Sequence, residues 1–192
     1  MIWNRHLELE GRHAFLSPSN YHWTGYSEEK LITVFRNNQA KLLGTKLHEF
    51  AHDAICLKRM QYEDGTTLSM FVNDCIIDGL DSEVLLYFSD NAFGTDDGIS
   101  FENGFLKIYD LKTGKTPASM KQLEVYAGLF CLEYHVNPTD IDIFLRIYQN
   151  DEIKEMEPDC SEIWDIMDRI IFFDNLLNQL RMEGPSYHVY SE

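Results

Sequence analysis

Residues 94–112, GTDDGISFENGFLKIYDLK, decide how the rest of the chain is read. Within them Asn103-Gly104 separates two runs that alternate apolar and polar residues, the pattern of a two-residue hairpin whose turn needs φ > 0 at both centres. If Glu102 pairs with Phe105, counting outward pairs Phe101 with Leu106, Ile99 with Ile108 and Asp97 with Asp110. Side chains alternate across a strand, so one face carries Ile99, Phe101, Leu106 and Ile108 and ends in Asp97, Asp110 and Lys112. Ser100, Glu102, Lys107 and Tyr109 take the other face.

Directly opposed carboxylates, with Cβ atoms ~5 Å apart, repel each other unless positive charge lies between them. Carboxylate oxygens suit the hard cations magnesium, manganese and calcium, and the Lys112 ammonium would add to their charge. The plain alternative is a surface hairpin whose acids are solvated.

The chain of 192 residues, 44% of them apolar, is long enough for one domain with a full core, and a single domain over residues 1–192 is expected. No apolar run reaches membrane-spanning length and the N-terminus lacks a signal pattern, so a cytoplasmic protein without a membrane partner is expected. Cys56, Cys75, Cys131 and Cys160 are scattered, as buried free thiols would be. The net charge of −16 argues against generic phosphate binding, but it is uneven. Residues 1–60 hold eight basic and six acidic side chains, and residues 61–192 hold eight and twenty-six. A polyanion would therefore approach through the N-terminal third and a metal site, with weak long-range steering.

Residues 13–26 read as a packed loop or short turns. Ser27 is the N-cap of a helix with Glu28 and Glu29 in its first turn, and Asn37-Asn38 is expected to break it before a second helix from about Gln39 to Arg59. That second helix should bury Leu43, Leu47, Phe50, Ala51, Ala54 and Ile55. It also spells HEFAH over His48–His52, a formal match to the H-E-x-x-H signature of zinc peptidases, though charged Lys46 and Asp53 flank it and no third ligand is evident. Residues 61–82 read as polar turns, Glu83–Ser89 as a strand, and Asp90-Asn91 as a turn. Thr116-Pro117 should open a helix running to about Glu133 with Gln122 and Tyr126 on one face. Ile141–Gln149 is a further strand, and a long amphipathic helix from Asp159 or Ser161 should stop at Gly184-Pro185.

Gly44-Thr45-x-x-His48 on a helix, a strand hairpin with Asp97 and Asp110-Leu111-Lys112-Thr113-Gly114, and then a helix with Gln122-x-x-x-Tyr126 form an ordered set. The set resembles the PD-(D/E)xK nuclease superfamily, in particular its RecB-type exonuclease branch, which includes phage nucleases and CRISPR-associated adaptation nucleases. The resemblance covers roughly residues 40–150 and implies an α/β fold: a mixed central β-sheet flanked by α-helices. It also implies a metal-dependent DNA nuclease, most simply an exonuclease of recombination, repair or phage DNA processing, with DNA as substrate and a recombination or replication protein as a further partner. His48, Asp97, Asp110 and the main-chain carbonyl of Leu111 would hold magnesium or manganese. Asp97, Asp110 and Lys112 would be catalytic, and Thr45, Thr113, Gln122 and Tyr126 would order the site and the bound strand. Asp96 stands where the superfamily's nominal proline would be. The placement of the cysteines argues against the iron–sulfur cluster of some members. Two other functions stay open: a catalytically silent acidic binding module of the same fold, and the zinc peptidase.

Overall fold

The computed structural model describes residues 14–183. The chain divides between Thr45 and Lys46 into two compact units. In the first, short 3-10 turns over Pro18–Gly25 are kinked at Asn20, the Trp23 indole donates to the Ser17 carbonyl, and Phe15 meets Phe35 edge to face. Helix α1 (Glu28–Cys56) then begins with the Ser27 hydroxyl accepting from the Lys30 amide. It runs unbroken through Asn37-Asn38, contrary to the expected break. Exposed asparagine costs a helix only about half a kcal/mol relative to alanine, too little to end it without a proline or a cap.

The second unit holds β1 (Val84–Ser89), β2 (Ala92–Asp96), β3 (Gly98–Glu102), β4 (Phe105–Lys112), β5 (Asp142–Gln149) and β6 (Glu152–Met156), with helices α2 (Thr67–Asp78), α3 (Lys121–Tyr134) and α4 (Cys160–Glu183). The expected stop at Gly184-Pro185 lies outside the described residues. Strands β3-β4-β5-β6 form a mixed sheet, parallel only between β4 and β5, and β1-β2 form a separate ribbon. The hairpin register is the one the Asn103-Gly104 turn dictates, Glu102 against Phe105 and Ile99 against Ile108, with φ of 52° and 80° at the two turn residues. A second turn of the same kind, Asn150-Asp151 with both φ positive, folds β6 onto β5; this strand was not anticipated.

Alternation along β4 builds two cores. Leu106 and Ile108 pack with Leu123, Ala127 and Phe130 of α3, while Tyr109 and Leu111 pack with Phe71, Val72 and Cys75 of α2 and with Ala51, Ala54 and Ile55 of α1. Leu43 and Phe50, expected inside, are exposed. Helix α2 replaces the polar turns expected there. Its N-cap Thr66 accepts from the Ser69 amide, Asp64 takes the Thr66 amide and the Thr66 and Ser69 hydroxyls, and Gly79 at φ 71° ends it. Helix α3 starts at Lys121 rather than at Pro117. Gln149 holds the preceding segment out of helix, donating to the Gly114 and Thr116 carbonyls and accepting from the Ala118 amide. Between α2 and the sheet the Arg146 guanidinium bonds Asp74 at 3.0 Å and Glu155 at 2.7 Å and lies over the Tyr109 and Phe144 rings.

Gly98 of β3 packs against the C-terminal end of α2 and the residue that follows its cap: a Cβ there would sit 3.0 Å from the Cys75 sulfur and 3.4 Å from Leu80 Cδ2. Gly98→Ala should cost ~1–3 kcal/mol by overpacking, read from urea denaturation, and Cys75→Ala in the same chain should recover part of that loss. Additive losses would mean the strand moves aside instead.

Candidate functional site

The even-numbered residues of β4 run from apolar to charged. After Leu106 and Ile108 comes Asp110, only 3% exposed, and after it Lys112 at the C-terminal end of the strand. The Lys112 ammonium donates to Asp110 Oδ1 at 2.9 Å and to Gln122 Oε1 of α3 at 2.8 Å. Asp110 Oδ2 is buried without a partner. An ionised oxygen left this way costs several kcal/mol unless a cation or a proton meets it.

Asp97 is not the cross-strand partner that counting from the turn made it. Backbone pairing of β3 with β4 ends at Gly98 and Tyr109, and Asp97 sits in a bend where the chain passes from the ribbon to the main sheet. Its side chain takes over the role of the missing backbone partner. Oδ2 accepts the Leu111 amide at 2.9 Å, and Oδ1 lies 3.1 Å from His48 Nδ1 of α1. The Ser82 hydroxyl donates to the Asp97 carbonyl, and Asp81 exchanges two backbone hydrogen bonds with Ile99. That clamp positions Glu83, which has φ 57°, a conformation uncommon outside glycine and one that collects at functional sites. Ligand atoms of His48, Glu83 and Asp97 lie within 4.8 Å of one another. The sequence places Glu83 only at the start of a strand. Counting back from the Asp90-Asn91 turn sets Val84 against Asp97, but a bulge between Tyr87 and Ser89 shifts the register by one, so that Val84 pairs with Asp96 and Glu83 comes beside Asp97.

The electrostatics follow from this geometry. The Asp97 hydrogen bond raises the His48 pKa above its ordinary value, against the opposing effect of burial. Burial first, and then the Asp97 charge, pushes the Asp110 carboxyl up. Asp96, fully buried, accepts the Gly98 amide with one oxygen and leaves the other without a partner; burial holds its pKa well above the carboxylate range. The His48 imidazole with the Glu83 and Asp97 carboxylates is a donor set that fits a hard divalent cation, and Asp110, with its unpaired oxygen, adjoins Leu111, whose amide holds Asp97.

The other expected residues divide. Gln122 orients Lys112, and Tyr126 donates to the Thr95 carbonyl at 2.6 Å, its ring packed where a Cβ on Gly94 would intrude. Leu111 contributes its amide to Asp97 and buries its side chain on the α2 face. Thr113 lines a cleft of about 300 Å³ with Lys112, Lys115, Thr67 and Asn150. Thr45 bonds the Lys41 carbonyl one turn back on its own helix. His52 of the HEFAH run lies against Cys56, outside the group that His48 joins. Of the four cysteines, Cys75 and Cys131 are buried as expected, whereas Cys56 and Cys160 are exposed. No helix among the described residues is long and apolar enough to cross a membrane. No family model, curated protein or solved structure matches the chain.

A cation bound here would need His48 neutral and Asp110 ionised, so its binding would displace protons. Manganese affinity measured by calorimetry should rise with pH and level off only once pH passes the raised His48 value, above 6.5. Below that point it should fall by up to about tenfold per pH unit. His48→Gln should flatten the profile, whereas His52→Gln should leave it unchanged.

Asp96 gives a second test. Its folded pKa lies above the unfolded one, so the folded chain binds the extra proton and loses stability as pH rises past the ordinary carboxylate range. In EDTA, Asp96→Asn should raise Tm by a few degrees at pH 8 and change it little at pH 4. A lower Tm at pH 8 would show that the second carboxylate oxygen is held by a partner.

Proposed function

We propose that this chain is a divalent-cation-dependent deoxyribonuclease with a site similar to that of the PD-(D/E)xK superfamily, most simply an exonuclease of recombination, repair or phage DNA processing. The observation that supports this best is the Asp110-x-Lys112 pair. One residue leaves a buried oxygen open, the other ties it to α3 through Gln122, and both stand beside the bend where Asp97 meets His48.

His48, Asp97, Asp110 and the Leu111 carbonyl are the proposed holders of magnesium or manganese, with Glu83 as a further acid at the same place. A bound ion of that kind supplies Lewis acidity at the scissile phosphate and lowers the pKa of a water. The chain supplies the rest. Asp97 is fixed at both oxygens, by the Leu111 amide and by His48, so it needs no reorganisation when the substrate arrives. The Lys112 ammonium, held by Gln122, is placed to offset the negative charge that grows on the phosphate in the transition state. The cleft with Thr113 and Lys115 offers polar groups to the adjoining backbone.

End-labelled linear, circular and single-stranded DNA incubated with magnesium, manganese or zinc tests this directly. Degradation of linear but not circular DNA is expected; cleaved circles would make the enzyme an endonuclease, and intact DNA under every condition would favour the silent binding module. Two variants separate the roles. Asp97→Asn should weaken manganese binding and abolish cleavage together, since an amide is a poorer ligand for a hard cation. Lys112→Ala should bind manganese as well as the parent or slightly better, yet cleave slower by orders of magnitude. Cleavage at the parent rate by Lys112→Ala would remove the nuclease assignment.

A further inference from the structure

The ribbon of β1 and β2 has one packed face and one open face. Val84, Leu86 and Phe88 turn toward α3, whereas Leu85, Tyr87, Phe93 and Thr95 turn outward. Leu85, Tyr87 and Phe93 are 54%, 45% and 59% exposed, and the Tyr87 and Phe93 rings, opposite each other in the register, are nearly parallel at 6.3 Å. The open face is continuous with the carboxylate site. Its end opposite the Asp90-Asn91 turn leads through Leu85 and Thr95 to Glu83 and Asp97, which meet His48.

We propose that this face is a stacking platform for single-stranded DNA entering the site, an inference that rests on the nuclease reading. Residues 83–97 contain no lysine or arginine, so the ribbon cannot hold a strand through its phosphates. Exposed aromatic rings hold bases by their π faces, a contact that itself draws on no cation. A duplex keeps its bases stacked on each other, so only an unpaired strand can lay them on such a surface. The Tyr87–Phe93 level lies four residues from Glu83 and Asp97, which flank the ribbon just outside its strands, ~13 Å at ~3.3 Å per residue. That is about the run of four stacked nucleotides at ~3.4 Å each. The rings therefore grip a base a few nucleotides from the phosphate being cut.

The test is the affinity of fluorescein-labelled oligonucleotides, single-stranded and blunt duplex, for the full chain in calcium, with manganese binding measured alongside. Phe93→Ala should weaken single-strand binding about five- to hundredfold, the range for loss of one base–aromatic stack. The fold-loss should be the same at low and high salt, because a neutral base releases no counterions. Manganese affinity should be unchanged. Phe93→Trp should bind as well as the parent and Phe93→Leu should not, since leucine keeps the apolar area without the π face. Equal binding by Phe93→Ala, full binding by Phe93→Leu, or a shift from dimer to monomer in Phe93→Ala with DNA affinity intact would each overturn the platform. The last result would make the face a contact between copies. Failure of the parent chain both to bind and to cleave any DNA would sink the nuclease reading and this inference together. A parent that binds and cleaves while Phe93 proves indifferent would sink the platform alone.

Discussion

The hydrogen bond from the Leu111 amide to the Asp97 carboxylate is the constraint on which the site depends. It ends the β3–β4 ladder one residue early, turns the chain from the ribbon into the main sheet, and holds Asp97 between β4 and His48. Because Leu111 lies between Asp110 and Lys112, the same bond fixes Asp97 relative to the acid and to the lysine. The apolar alternation of β4 fixes the remainder: its α3-facing side ends in Asp110, and its α2-facing side anchors Leu111 in the second core.

This arrangement concentrates unfavourable charge. Asp96 and Asp110 are both buried, each with one oxygen lacking a partner, and Asp97 acts on both. Buried charge of this kind is a poor source of stability and is commonly found where a site needs a ligand to complete it. The stability comes from elsewhere, from the packing of α3 and α2 on the two faces of the sheet.

Much of this was legible in the residues. The Asn103-Gly104 turn and the alternation on either side of it set the register, and with it the common face of Asp110 and Lys112. The α/β class with a mixed sheet is what the resemblance implied, and the sheet is mixed, although β1 and β2 stand apart from it as a ribbon. Three things were not legible, each for a physical reason. Asp97 left its register position because a side-chain acceptor replaced the backbone one. Glu83 reached the site through a left-handed turn that no local pattern of charged residues announces. Helix α2 was hidden by Asn73, Asp74 and Asp78 within it, although Thr66 and Ser69 form a capping pair and Phe71, Val72 and Cys75 recur at helical spacing. Asp74 and Asp78 face the sheet, where they pair with Arg146, Lys107 and two tyrosine hydroxyls.

The central claim is that these side chains hold a hard divalent cation at one place. Anomalous diffraction at the manganese edge, from crystals grown at pH 8 with manganese, tests it most directly. A peak bounded by His48, Asp97 and Asp110 is the expected result. A map with no peak there, or with the ion held by His48 and His52 on the face of α1, would contradict it.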